Sequence, residues 1–90
     1  MRLVWKPQAV ADRDGIFDFI AQDHPVAALE LDEWIEQKAE ILTGQPKAGQ
    51  PGRMRGTREW VIHPHYVIVY RVAATQVEIL RVLHTARQWP

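Results

Sequence analysis

The sequence predicts an α+β fold: an N-terminal strand, a helical hairpin and a three-stranded antiparallel meander, all in one small mixed sheet. Three observations carry this. Residues 58–72 and 77–84 hold β-branched and aromatic runs broken by turn-like residues, which is a strand pattern. Residues 7–23 and 25–43 repeat their apolar side chains at helical spacing, each opening on a proline. A short apolar run, Leu3-Val4-Trp5, precedes both.

Each element has its own signal. Leu3-Val4-Trp5 reads as the first strand. Pro7 suits the first helical turn, where its missing N–H costs nothing. The first helix carries Ala9, Arg13, Ile16, Phe17 and Ile20 on one side, with Asp12, Asp14 and Asp18 assigned to the outer side. Gly15 weakens that helix by about 1 kcal/mol relative to Ala and is read as a point of close packing. Asp23-His24-Pro25 is a break, with Asp23 as the expected cap of the second helix. The second stripe is Ala27, Leu31, Trp34, Ile35, Ile41 and Leu42, with Glu30, Asp32, Glu33, Glu36 and Glu40 around it. Two helices joined by so short a break form an antiparallel hairpin.

Residues 43–56 hold four of the five glycines, two prolines, Lys47, Arg53 and Arg55. This is a basic loop of the kind that often carries function. The strands follow, with Pro64-His65 as the first turn and residues 73–76 as the second. Taking these turns at face value pairs Arg71 with Glu78, Tyr70 with Ile79, Ile68 with Arg81 and Arg58 with Arg71. One face then collects Glu59, Val61, His63, Ile68, Tyr70, Ile79 and Arg81; the other collects Arg58, Trp60, Val67, Val69, Arg71, Glu78, Leu80, Val82 and His84. A one-residue slip would exchange them. Both faces of the middle strand are apolar. The helices cover one, and the other is an expected partner-binding surface.

Composition narrows the function. Ninety residues make one domain, 1–90. Apolar content of 47% and charged content of 24% are those of a globular chain. There is no cysteine, which removes disulfides and thiolate chemistry. The net charge is zero, which argues against holding nucleic acid by bulk charge. No apolar run approaches the ~20 residues of a membrane helix, and no signal-peptide core opens the chain. The expectation is a cytoplasmic protein without membrane contact.

Three of the four histidines lie in the last third, with Arg58, Arg71, Arg81 and Arg87. RNA cleavage by 2′-hydroxyl attack needs a base, an acid and a cation for the phosphate. Glu59, His63, His65 and His84 could exchange protons, and Arg55, Arg58, Arg81 and Arg87 could clamp phosphate. Each also has a plain structural reading: His63 and His65 as turn residues, His84 as a strand-end hydrogen-bonding group, Arg71 with Glu78 as a cross-strand ion pair of little net worth. His63, His65 and His84 could converge, but no acidic fourth ligand accompanies them. No metal and no cofactor is expected.

The order strand, helical hairpin, three antiparallel strands resembles the RelE/ParE family of toxins from bacterial type II toxin–antitoxin modules. The resemblance rests on Leu3-Val4-Trp5, the Ala9-to-Ile20 stripe, Gly56-Thr57-Arg58-Glu59, the run from Tyr66 through Val72 and the run from Val77 through His84. It covers nearly the whole chain. It implies a growth-arresting toxin neutralised by a cognate antitoxin in a hetero-oligomer. ParE-like members inhibit DNA gyrase and are not nucleases; RelE-like members cut mRNA on the ribosome. The ending Leu80-Arg81-Val82-Leu83-His84-Thr85-Ala86-Arg87 looks closer to the ParE branch. RelE-like members usually add Lys, Arg and a C-terminal aromatic, and no Tyr follows Tyr70 here. If the chain is a nuclease, the expected catalytic residues are Arg58, Arg81, His84 and Arg87. The expected target- or antitoxin-binding residues are Arg53, Arg55, Glu59, His63, Tyr70 and Trp89.

Overall fold

The computed structural model describes residues 1–86. The elements are β1 (Arg2–Trp5), α1 (Pro7–Ala21), α2 (Pro25–Ile41), β2 (Gln50–Pro51), β3 (Arg58–His63), β4 (Tyr66–Val72) and β5 (Gln76–His84). They form one five-stranded sheet in the order β1-β5-β4-β3-β2. β1 runs parallel to β5, with Leu3 beside Val77 and Trp5 beside Ile79; the remaining pairs are antiparallel. The mixed α+β class is as the sequence predicts. The difference is a fifth strand: the glycine-rich loop contributes β2, whose Gln50 pairs with Glu59 and Pro51 with Arg58. Two residues are too few for an alternation signal, and a proline is admissible there because β2 is an edge strand.

Both helices begin at proline, as expected. Asp23 does not cap α2. With Pro25 as the first helical residue, the cap position falls on His24, whose side chain makes no capping bond. The buried stripe of α2 keeps the predicted Ile35 and Leu42, with Leu31 packed against it, but takes Ala28 and Ala39 in place of Ala27, Trp34 and Ile41. Ala28, Ile35, Ala39 and Leu42 are fully buried, while Trp34 is 41% exposed and Ile41 is 40% exposed. Trp34 lies over the edge of the core, donating its indole N–H to the Ile62 carbonyl at 2.6 Å, with the Lys38 ammonium 4.6 Å from its ring. Across the hairpin, the Arg13 guanidinium stacks on Trp5 and pairs with Asp32 at 2.9 Å, tying β1, α1 and α2 together.

Two bulges decide the faces of the sheet. Between β4 and β5 the pairs Arg71–Glu78 and Tyr70–Ile79 stand as predicted, but Leu80 is then looped out, so Val69 meets Arg81 and Ile68 meets Val82. Between β3 and β4, His63 faces Tyr66 across the Pro64-His65 turn, then Ile62 is skipped and Arg58 faces Tyr70 rather than Arg71. An extra residue in one strand reverses the alternation beyond it. Trp60 and Val82 therefore join Ile62, Ile68, Tyr70 and Ile79 in the core beneath the helices. Glu59 and Val61 border the outer side instead. That outer side is not the open apolar face predicted: Val67, Val69 and Leu83 form a second, buried cluster, and Val61 is its exposed neighbour.

Candidate functional site

The sheet has two ends where polar side chains collect. At the end bearing β2, the Tyr70 hydroxyl accepts the Gly49 N–H at 2.9 Å and donates to the Pro46 carbonyl at 2.7 Å. Arg58 reaches the same loop, donating from Nη2 and Nε to the Gly49 carbonyl at 2.7 and 3.1 Å. Buried backbone groups must find partners, and here two side chains from the sheet supply them. Gly49 is required by space. A Cβ on it would lie 2.8 Å from the Glu59 carbonyl oxygen and 2.8 Å from the Tyr70 ring. Glu59 in turn accepts the Arg53 backbone N–H at 2.8 Å and pairs with its guanidinium at 3.5 Å. Gly56, at φ +81°, closes the loop in a conformation that favours glycine.

At the opposite end, four rings meet. The centroids of His63 and His65 are 5.6 Å apart, His65 stacks on His84 at 5.5 Å, and Tyr66 packs edge-on against His84 at 5.5 Å. A groove of about 340 Å³ runs beside them, between α1 and the sheet, lined by Ala11, Asp12, Gly15, Ile16, Phe19, Tyr66, Val82 and His84. Gly15 borders this groove and a Cβ there would meet nothing, so it is not the point of close packing predicted. A smaller cavity of about 120 Å³ opens on the outer side, between Arg53, Glu59, Val61 and His84.

The expected site residues are thus divided. Arg58 faces Tyr70 and His84 faces Tyr66, so they lie four β4 residues apart, roughly 13 Å at ~3.3 Å per residue. Arg81 pairs with Asp12 through Nε at 2.8 Å and Nη2 at 3.1 Å, and the same carboxylate accepts the Val82 N–H at 3.0 Å. The Asp12 bond raises the pKa of the Arg81 guanidinium still further above its ordinary value. Asp12 is therefore turned inward, not outward as assigned. The signal was present: Asp12 stands three residues after Ala9 and four before Ile16, on the buried stripe itself. Tyr70 is fully buried and presents no surface to a partner; its hydroxyl is an anchor for the loop. Arg53, Arg55 and Glu59 lie on or beside the basic loop, with Arg55 exposed and Glu59 half-buried. His63 is half-buried and His84 exposed. Arg87 and Trp89 lie outside the described residues. The Arg71–Glu78 pair forms as expected, and the Glu78 carboxyl also accepts from Gln76 at 2.6 Å. These bonds, Arg71 first, hold its pKa below the ordinary value. Among the described residues, no group of three or more His, Asp or Glu side chains is arranged to hold a metal ion, and no helix is long and apolar enough to cross a membrane.

Comparison with known proteins agrees with this architecture over the chain's length. The family model for the ParE toxin of the type II toxin–antitoxin system parDE matches residues 3–89. A protein of Sinorhizobium fredii named Putative toxin Y4kP is 38% identical over 90 residues, covering 99% of this chain and 93% of the relative. Toxin RelE2 of Caulobacter vibrioides is 37% identical over 86 residues, covering 96% and 97%. Among solved structures, a chain of the chromosomal ParDE TA system from P. aeruginosa superposes with a TM-score of 0.83 at 27% identity, covering 93% of this chain and 95% of that one. The chain is a member of the ParE toxin family of type II toxin–antitoxin systems, within the wider RelE/ParE group.

Proposed function

We propose that this toxin arrests growth by binding DNA gyrase, has no nuclease centre, and is neutralised by a cognate antitoxin. One observation carries the reading: among the described candidates, the two arginines an RNA-cleaving site would need are engaged in the fold, and Arg58 is far from His84. Arg58 holds the loop carbonyl of Gly49, Arg81 holds Asp12, and His84 stands at the other end of the sheet from Arg58. Phosphoryl chemistry needs a cation and an acid–base group within about 3 Å of one reacting phosphate. The family match and the likeness to a ParDE chain favour the same branch.

The second reading is a ribosome-dependent endoribonuclease, favoured by the 37% identity to a protein named Toxin RelE2. Purified toxin tested against both targets separates them. Added to gyrase and relaxed plasmid, it is expected to block supercoiling or trap cleaved DNA, and cognate antitoxin is expected to reverse this. Added to translating ribosomes, it is expected to leave mRNA whole. Cuts within translated codons, lost in Arg81→Ala and His84→Ala variants that stay folded, would overturn the gyrase reading.

A further inference from the structure

The ring cluster contains a feature that neither gyrase binding nor neutralisation by an antitoxin requires. The Nδ1 of His63 accepts the backbone N–H of His65, two residues on, at 3.1 Å. The Nδ1 of His84 accepts the backbone N–H of Ala86, again two residues on, at 3.1 Å. Both are the imidazole counterpart of an Asx turn, in which a side-chain acceptor fixes its own backbone two residues later. Asn and Asp accept through an oxygen that stays an acceptor at neutral pH. An imidazole nitrogen accepts only while it carries no proton, and imidazolium is a donor at both nitrogens.

We propose that His63 and His84 form a proton-operated latch at this end of the sheet. With both rings neutral, His63 closes the β3–β4 turn and His84 closes the exit of β5. Proton uptake on Nδ1 converts each acceptor into a donor facing an N–H, so the amides of His65 and Ala86 are released from their side-chain acceptors. The two sites are linked through the turn. Thr85 donates its N–H to the His65 carbonyl at 2.8 Å and its hydroxyl to the Pro64 carbonyl at 3.2 Å. The stacked His65 and His84 rings add repulsion once both are charged.

Charged groups of both signs surround this end. Asp12 borders the groove beside His84 but is held by Arg81; Glu59 borders the outer cavity but is held by Arg53. Each carboxylate favours the imidazolium and each arginine opposes it. Among the described residues, His65 and the Tyr66 phenol are also in ring contact with the pair. Protonation removes the acceptor lone pair of an imidazole, so the latch opens on acidification. Thr85 keeps β5 against the turn, and the rest of the fold is undisturbed.

Backbone amide shifts of the full chain, followed by two-dimensional NMR from pH 8.5 to 5, test this. A His65→Gln background keeps that ring from moving its own amide. The amides of residue 65 and Ala86 are expected to lose their hydrogen-bonded shifts in a one-proton titration each, while core amides such as Val69 stay fixed. His63→Asn and His84→Asn keep an acceptor that does not titrate, so the corresponding amide should stay in its bonded position down to pH 5. His63→Phe and His84→Phe should hold it in the released position up to pH 8.5. The latch is overturned if the two amides do not move in the parent, or if they titrate unchanged in the Asn variants.

Discussion

The two ends of the sheet are fastened by the same kind of bond, a side chain holding nearby backbone, yet they differ in what makes the bond. At the β2 end a buried phenol and a guanidinium hold Gly49 and Pro46. At the other end a half-buried imidazole holds His65 and an exposed one holds Ala86. Phenol and guanidinium groups keep their protons through the physiological range; imidazoles do not. Burial separates the ends further, since Tyr70 is 0% exposed while His84 is open to solvent. The basic loop is thus pinned to the core at Gly49 and Pro46 while Arg53 and Arg55 stay exposed on it, and the ring cluster is left adjustable. Any recognition by Arg53 and Arg55 starts from a preset loop, which lowers the ordering cost of binding.

The largest way to break the contrast is at Tyr70. Tyr70→Ala empties a fully buried aromatic site and frees the loop, so a loss of about 3–5 kcal/mol in urea unfolding is expected. Tyr70→Phe keeps the ring and strands only the Gly49 N–H and Pro46 carbonyl, so about 1–3 kcal/mol should go. If the Phe variant unfolds like the parent, the hydroxyl is not the anchor. Next comes Asp12→Ala, which leaves the half-buried Arg81 guanidinium and the Val82 N–H without that carboxylate. A loss of about 2–3 kcal/mol is expected, with α1 amides exchanging faster. Gly49→Ala should cost about 1–3 kcal/mol, because its Cβ would meet backbone oxygen on one side and a fixed ring on the other. A neutral result would mean that the loop can shift, against its assignment to the core.

Much of this fold was legible because long, strongly patterned segments announce themselves. The β-branched runs gave β3, β4 and β5, and the prolines at positions 7 and 25 gave the helix starts. The faces were not legible, since single looped-out residues at Ile62 and Leu80 leave no mark in a period-two pattern. The candidate site fared unevenly for a related reason. Arginines and histidines can be counted in a sequence, but whether Arg81 meets a phosphate or Asp12 depends on a contact 69 residues away. An acidic residue on a helix reads as solvent-facing by default, which hides Asp12 although its spacing lies on the buried stripe. Tyr70 looks like a contact residue in the sequence because a hydroxyl's partner in a distant glycine loop has no local signal.

The smallest effect sharpens the contrast through acid. Glu78 stands near the β2 end's half of β5, facing Arg71, with its pKa held below the ordinary 4.5 chiefly by the Arg71 hydrogen bond and then by Gln76. A carboxyl whose folded pKa is depressed contributes stability that is present above its unfolded pKa and is lost as pH falls through the folded one. This contribution is therefore intact across the range in which imidazoles titrate, and it disappears only below about pH 4.5. Acid should accordingly act on the two ends in order: the His63 and His84 amide bonds first, with global stability little changed, then a decline in stability to which Glu78 contributes. Urea midpoints measured from pH 7 to 3 in parent and Glu78→Gln check this. The gap between the two proteins should be constant above pH 5 and should narrow below it. A gap that does not change with pH would mean that Glu78 acts by packing and not by charge, because a packing defect is indifferent to the proton.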